Sequence, residues 1–273
     1  MLEFIYKEGE TMKIIIIQNT VKKVLKASIE NVKQLIKQKS FENLDFIVLP
    51  EMFTTPYQID LFHEYQQDNH SEVIKFLSEL AIEYHAYVIG GSVVEVSRGK
   101  LYNTSYIFNR QGKVIKKYRK IKLFSVIYPD GTSFDEGEVL EAGQDLGIFE
   151  TEFGMMGIMI CFDIRFPTLA LSLMKKQAKV IFVPGAFNQF TGPLHWQTTF
   201  RARAIDNQLF MVGASPSNES YGTYKTYGHS LIVDPWGKII KELDGNSGFI
   251  EVEIDLNLID EVREKLPIVK NIK

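Results

Sequence analysis

Cys161 lies at the end of an apolar strand, within the apolar run from Phe153 to Phe162, and is followed by Phe162-Asp163-Ile164-Arg165-Phe166-Pro167, where the proline suits the first position of a new helix. A thiol at such a strand-to-helix junction stands at the end of a rigid strand. Beside it are backbone N–H groups not yet engaged in helix bonds, which can receive a developing oxyanion. Taken alone, a single cysteine is as readily a small buried hydrophobe. Two further strand ends change the weighing. Glu51 follows Asp45-Phe46-Ile47-Val48-Leu49-Pro50, and Lys120 closes the run from Lys113 to Lys122. Strands that end on one side of a sheet would bring a base, a cation and a thiol together, as sites at the carboxyl ends of strands do. Separately, the Lys-rich run reads as a solvated face and the glutamate as a helix cap or surface charge.

The elements that must position these groups follow a mixed pattern. Lys13 to Gln18 is a continuous β-branched run, as expected of a strand buried on both faces. Val24, Leu25, Ile29, Val32, Leu35 and Ile36 then recur at helical spacing, predicting an amphipathic helix of about 15 residues. The alternation continues with a strand at 45–49, a helix at 72–84 and a strand at 86–94. Runs at 101–108 and 113–118 flank Asn109-Arg110-Gln111-Gly112 and predict a hairpin. The stretch 121–139 lacks a clean period and reads as a long ordered loop, of the kind that is often functional. Buried strands are expected at 154–160, 179–183 and 209–214, helices at 167–176 and 193–207, and a last hairpin turn at 233–238. No repeat, linker or abrupt shift in composition divides the chain, so the pattern predicts one α/β domain with both sheet faces covered.

Composition excludes several functions. Lys and Arg number 31 against 34 Asp and Glu, a net charge of −3, so the surface is not built to neutralise phosphates or anionic lipid. Nucleic acid and membrane are not expected partners. The single cysteine rules out an intrachain disulfide and any thiolate-rich metal site, and the five histidines lack paired spacing, so no metal is expected. The longest apolar stretch is about half the roughly 20 residues that a spanning helix needs, and the N-terminus has neither signal peptide nor lipidation motif. A cytoplasmic protein is the expectation. The first strand begins at a second methionine, Met12, after Lys7-Glu8-Gly9-Glu10, whose purine-rich codons would resemble a bacterial ribosome-binding site. Translation is expected to start there, leaving 1–11 as an extension outside the native start; intact mass of the natively expressed protein checks this, and retention of Met1 would refute it.

Three segments, LPEMF around Glu51, YRKIKLF around Lys120 and CFDIRFP around Cys161, together resemble the nitrilase or carbon–nitrogen hydrolase superfamily, whose members share a Glu–Lys–Cys triad in that order. The resemblance runs over essentially the whole chain from Met12. It is nearest to the ω-amidase branch, through PGAFNQFTGPLHW, RARAIDNQ, Ala214-Ser215-Pro216 and YGHSLIVDPWG. It implies an α/β four-layer αββα sandwich over residues 12–262, a C-terminal tail at 263–273, pairing into a homodimer, and catalysis without a cofactor.

The chemistry explains why these residue types belong together. A free thiol of pKa about 8.5 is only roughly 3% ionised at pH 7, and a glutamate near 4.3 is a poor acceptor for its proton. A lysine ammonium stabilises the thiolate and desolvation raises the glutamate, so the three titrate as a coupled set. The resemblance then implies that Glu51 is the base, Cys161 the nucleophile, and Lys120 with the backbone N–H of Phe162 the oxyanion cradle. It also implies a second glutamate after the lysine, matched by Glu136, with Asp135 and Glu138 as close rivals. Arg165, at the start of the following helix, could grip a carboxylate bidentately or instead pair with Asp163 or another carboxylate. The resemblance assigns Arg165, Phe187 and Thr191 to the substrate's 2-oxo-acid end, against core packing for Phe187; Tyr57 and Met52 are expected to wall the pocket.

The expected activity is thiol-dependent hydrolysis of the terminal amide of a small carboxylate-bearing substrate, 2-oxoglutaramate or 2-oxosuccinamate. Alternatives are a deaminated glutathione amidase, an N-carbamoyl amino acid hydrolase and, from another class, a catalytically silent binding protein. A Cys–His hydrolase using His195 or His229 is the weaker rival, since both histidines fall in segments that the resemblance already covers.

Overall fold

The computed structural model describes residues 11–272; residues 1–10, and with them almost all of the expected N-terminal extension, lie outside the described residues. The first sheet is built from β1 (Thr11–Gln18), β2 (Phe46–Val48), β3 (Tyr87–Ile89), β4 (Val93–Ser97), β5 (Lys100–Phe108) and β6 (Val114–Arg119). A small hairpin, β7 (Ser125–Ile127) with β8 (Ser133–Asp135), stands apart. The second sheet holds β9 (Ile148–Thr151), β10 (Gly154–Ile158), β11 (Val180–Pro184), β12 (Phe210–Ala214), β13 (Leu231–Val233) and β14 (Ile239–Glu242), after which β15 (Gly248–Asp255) returns to the first. The orders are β15-β1-β2-β3-β5-β4, with β6 also on β5, and β14-β13-β12-β11-β10-β9. Adjacent pairs β1–β2, β2–β3, β10–β11 and β11–β12 are parallel.

Side-chain alternation along β1 explains its unbroken apolar run. Ile14 and Ile16 face the second sheet, where Phe46 stacks on Phe182 at 5.0 Å, while Ile15 and Ile17 face the helices. On that outer face lie α1 (Leu25–Ile36) and α2 (Glu72–Glu83), burying Ile29, Val32, Leu35, Phe76, Leu77 and Leu80. The second sheet is covered by α3 (Pro167–Lys175) and α4 (Gly192–Asn207), whose Trp196, Phe200 and Ala204 recur every four residues. The result is the four-layer αββα sandwich. A last helix, α5 (Leu258–Lys265), crosses residue 262 into the expected tail, where Gln208 accepts the Val269 N–H at 3.1 Å.

The structure differs from the sequence-based expectation in three places. The strand expected over 86–94 is broken into β3 and β4 at Gly90-Gly91-Ser92. Gly91 has φ +57, and a Cβ there would lie 2.1 Å from the Pro50 carbonyl oxygen, so the chain can turn beside Glu51 only without a side chain. The loop expected over 121–139 contains the β7–β8 hairpin, closed by Tyr128 N–H to the Thr132 carbonyl at 2.8 Å; its three-residue strands are too short for a period to show. And β15 pairs antiparallel with β1 along Thr11↔Asp255 to Gln18↔Gly248, a partnership that no local pattern encodes. Among the described residues no helix is long and apolar enough to cross a membrane.

Candidate active site

Three chain turns converge at the ends of the strands. Glu51 lies just beyond β2, Lys120 follows β6, and Cys161 opens a 3₁₀ turn, Cys161–Arg165, beyond β10. Cys161 has φ +45, a left-handed conformation costly for a residue with a Cβ and characteristic of positions held for function. Lys120 is anchored by its backbone, donating its N–H to the Asn103 carbonyl at 2.8 Å and accepting the Gly143 N–H at 2.8 Å.

The Lys120 ammonium sits between two carboxylates, 2.9 Å from Glu51 Oε1 and 2.8 Å from Glu136 Oε2, with all three side chains fully buried. Glu136 is itself fixed: its Oε2 accepts the Phe124 N–H at 2.7 Å and its Oε1 the Tyr57 hydroxyl at 2.7 Å. Of its rivals, Asp135 spends a carboxylate oxygen on the Gly137 N–H at 2.8 Å, and Glu138 is exposed. Asn103, unnoticed in the sequence, donates from Nδ2 to Glu51 Oε1 at 2.8 Å and lies 3.3 Å from Glu136 Oε1. As a polar residue in the buried middle of β5, it resembles an outward-facing position until its neighbours are known.

Charges in this dry site shape one another. Burial pushes the Cys161 thiol well up and Glu51 adds to the rise, while Lys120 and a backbone bond from Ala186 oppose it. Burial also raises the Glu51 carboxyl, against the pull of Lys120 and with a further push from Glu136; a hydrogen bond from Cys161 favours its charged form. For Lys120, burial works against the ammonium, yet Glu136 and Glu51 outweigh it and hold the group above its ordinary value. Burial thus pushes both the thiol and its hydrogen-bonded partner Glu51 toward their protonated forms, and desolvation makes that carboxylate a better proton acceptor. Neither histidine takes part: His195 Nδ1 lies 2.9 Å from Arg165 Nη1, and His229 Nδ1 lies 3.1 Å from Glu242 Oε1.

Arg165 lies with its guanidinium over Phe187 at 4.5 Å from the ring centre, and among the described residues no carboxylate is within ion-pair distance of it. Asp163 is engaged elsewhere, accepting from the Tyr118 hydroxyl and from the Ile160 and Lys122 N–H groups. Burial pushes Arg165 below its ordinary value, as expected of a partly buried cation with no carboxylate in ion-pair reach among the described residues. Phe187 also packs edge-on against Trp196 at 5.0 Å. Thr191 is turned to Asn188, its N–H and hydroxyl 2.8 and 3.0 Å from Oδ1. The Phe162 ring packs against Phe124 and Phe166, and Met52 is buried with φ +51. Tyr57, with Tyr224 and Phe134, also lines a cavity of about 900 Å³ whose other walls include Tyr128, Asn188 and Phe190.

A buried thiol facing a carboxylate that is paired with an ammonium is an arrangement for attacking a carbonyl carbon. Residues 14–264 match the sequence profile of the carbon–nitrogen hydrolases. The chain belongs to the carbon–nitrogen hydrolase family. Omega-amidase NIT2 of Xenopus tropicalis is 39% identical over 256 residues, covering 94% of this chain and 93% of that protein. Omega-amidase NIT3 of Saccharomyces cerevisiae is 39% identical over 252 residues, 89% and 87% of the two chains. The crystal structure of S. cerevisiae Nit3, a member of branch 10 of the nitrilase superfamily, superposes with a TM-score of 0.86 at 34% identity and 96% coverage of each chain. This carbon–nitrogen hydrolase is thus an amidase of the nitrilase superfamily.

In this hydrolase Tyr57 proves more than a wall, because its hydroxyl touches Glu136, lies 3.3 Å from Lys120 Nζ and 3.4 Å from Glu51 Oε1. Tyr224, which the sequence left unmarked, packs on Tyr57 at 4.7 Å and bonds to the Ala186 carbonyl at 2.8 Å. Burial raises both phenols well above their ordinary values, so they act as neutral donors.

Proposed function

We propose that this hydrolase cleaves the terminal amide of a small 2-oxo acid, 2-oxoglutaramate or 2-oxosuccinamate, to the 2-oxo acid and ammonia through a Cys161 thioester. The single observation that carries the substrate class is Arg165: a partly buried guanidinium that feels the Cys161 thiol and, among the described residues, has no carboxylate within ion-pair distance suits the carboxylate of the substrate.

Glu51 takes the thiol proton as the sulfur attacks the amide carbon, and the carbonyl oxygen becomes an oxyanion held by the Lys120 ammonium and the Phe162 N–H. The oxyanion collapses, the carbon–nitrogen bond breaks, and the proton on Glu51 passes to the departing nitrogen, releasing ammonia. Glu51 then removes a proton from water as its oxygen attacks the thioester. Breaking the carbon–sulfur bond returns that proton to the sulfur, and the new carboxylic acid ionises into solvent. Glu136 and Tyr57 keep Lys120 directed at the oxyanion throughout.

Ammonia release from 2-oxoglutaramate, with deaminated glutathione and an N-carbamoyl amino acid in parallel and Cys161→Ala as the blank, tests this reading. Turnover of the first amide that disappears in the variant is the expected result. Activity confined to another amide would reassign the pocket, and activity that survives in Cys161→Ala would overturn the thioester.

A further inference from the structure

Asp163 is fully buried and is used in no step above; among the described residues its hydrogen-bond partners are neutral donors, and the Lys120 ammonium acts on it through space rather than by a direct bond. Its Oδ2 accepts the Tyr118 hydroxyl at 2.7 Å and the Ile160 N–H at 3.0 Å, and its Oδ1 accepts the Lys122 N–H at 2.8 Å. Tyr118 and Lys122 stand two residues either side of Lys120, while Ile160 immediately precedes Cys161. We infer that Asp163 is a positioning residue, a carboxylate clamp that fixes the Lys120 segment and the Cys161 turn against each other so that ammonium and sulfur meet the same carbonyl group.

The inference rests on the reading of Cys161 as nucleophile. Only a carboxylate can serve all three donors at once. An asparagine must turn its amide NH₂ toward one side: facing Lys122 it sets donor against donor beyond Lys120, and facing Ile160 it does so before Cys161. Either way one of the two arms loses its anchor. The strained backbone at Cys161, φ +45, needs such a restraint, because strain persists only where surrounding contacts over-determine it. Burial raises Asp163 to about 6 against the pull of the bonds from Ile160, Tyr118 and Lys122, so near neutral pH the clamp is the acceptor that all three donors require.

Asp163→Asn, Tyr118→Phe and Cys161→Ala are compared in kcat and KM on 2-oxoglutaramate, and the first two also in the rate at which iodoacetamide alkylates Cys161. For a folded Asp163→Asn protein the expected result is a kcat lower by about 10- to 100-fold, with KM changed less than about threefold and alkylation slowed in parallel. A kcat and alkylation rate within about twofold of the parent would overturn the clamp. Should Asp163→Asn not fold, Tyr118→Phe decides: it removes one bond and no backbone partner, so a several-fold fall in kcat and alkylation at constant KM supports the clamp, and parental values overturn it. Turnover surviving in Cys161→Ala would instead sink the nucleophile reading. A parent inactive on 2-oxoglutaramate would sink the substrate reading while alkylation still judges the clamp.

Discussion

Lys120→Gln should abolish measurable turnover, with kcat lower by about 10³-fold or more, and should destabilise the fold by about 3–5 kcal/mol at pH 7.5. Both effects have one origin. The ammonium stands within 2.9 Å of Glu51 and 2.8 Å of Glu136, and none of the three groups reaches solvent. Removing the cation takes the main charge from the oxyanion cradle and leaves two buried carboxylates facing each other. One of them then holds a proton in the folded state at a pH where the unfolded chain, with carboxylates near 4.3, has released it. The sign follows from linkage: where the folded state binds more protons, stability falls as pH rises. The variant's deficit should therefore be largest above the raised folded-state pKa and shrink as pH is lowered toward the ordinary carboxylate range. Urea midpoints of parent and variant at pH 7.5 and 5.0 check this. A gap that is the same at both values would mean that the two carboxylates are not jointly charged around Lys120, and the electrostatic account of the site would fail with it.

What could be read in the sequence follows from the range over which each signal acts. Glu51 and Cys161 could be marked as candidates because each follows an apolar strand, a pattern contained within a few neighbouring residues, whereas Lys120 closes the Lys-rich strand Val114–Arg119 and was marked chiefly by the superfamily motif around it. Periodicity reached as far as one α/β domain with covered sheet faces, since β1 is apolar on both faces and the helices carry stripes; the four-layer sandwich was what the resemblance implied. Asn103, Tyr224 and the hydroxyl of Tyr57 act through partners far along the chain, such as Tyr57 to Glu136 at 2.7 Å, and nothing beside them in sequence marks that role. Asp163 was legible only as a possible partner for Arg165, and the structure gives it to Tyr118, Ile160 and Lys122 instead. That reassignment leaves the arginine, among the described residues, with His195 and Phe187 as neighbours but no carboxylate. Likewise β15 closes the first sheet against β1 from the other end of the chain, so its place depended on topology that local periodicity does not carry.

Arg165→Gln should lower kcat/KM for 2-oxoglutaramate by about 100- to 1,000-fold, the loss expected for a charge-assisted, bidentate contact in a partly desolvated site. The same variant should act on a short neutral amide such as butyramide within about threefold of the parent, because that substrate offers the guanidinium nothing to bind. Most of the loss on the acid amide should appear in KM if the carboxylate contact is equal in ground and transition states, and in kcat if the contact also aligns the amide with the sulfur. The comparison separates the proposed anchoring of the substrate carboxylate from the packing that Arg165 does in the structure. Arg165 caps the Phe187 ring at 4.5 Å and lies 2.9 Å from His195, so it also packs against these two side chains. A purely structural contribution would depress both substrates alike. An equal fall on butyramide and 2-oxoglutaramate would therefore remove Arg165 as the carboxylate anchor, and with it the argument that this amidase prefers acid-bearing amides.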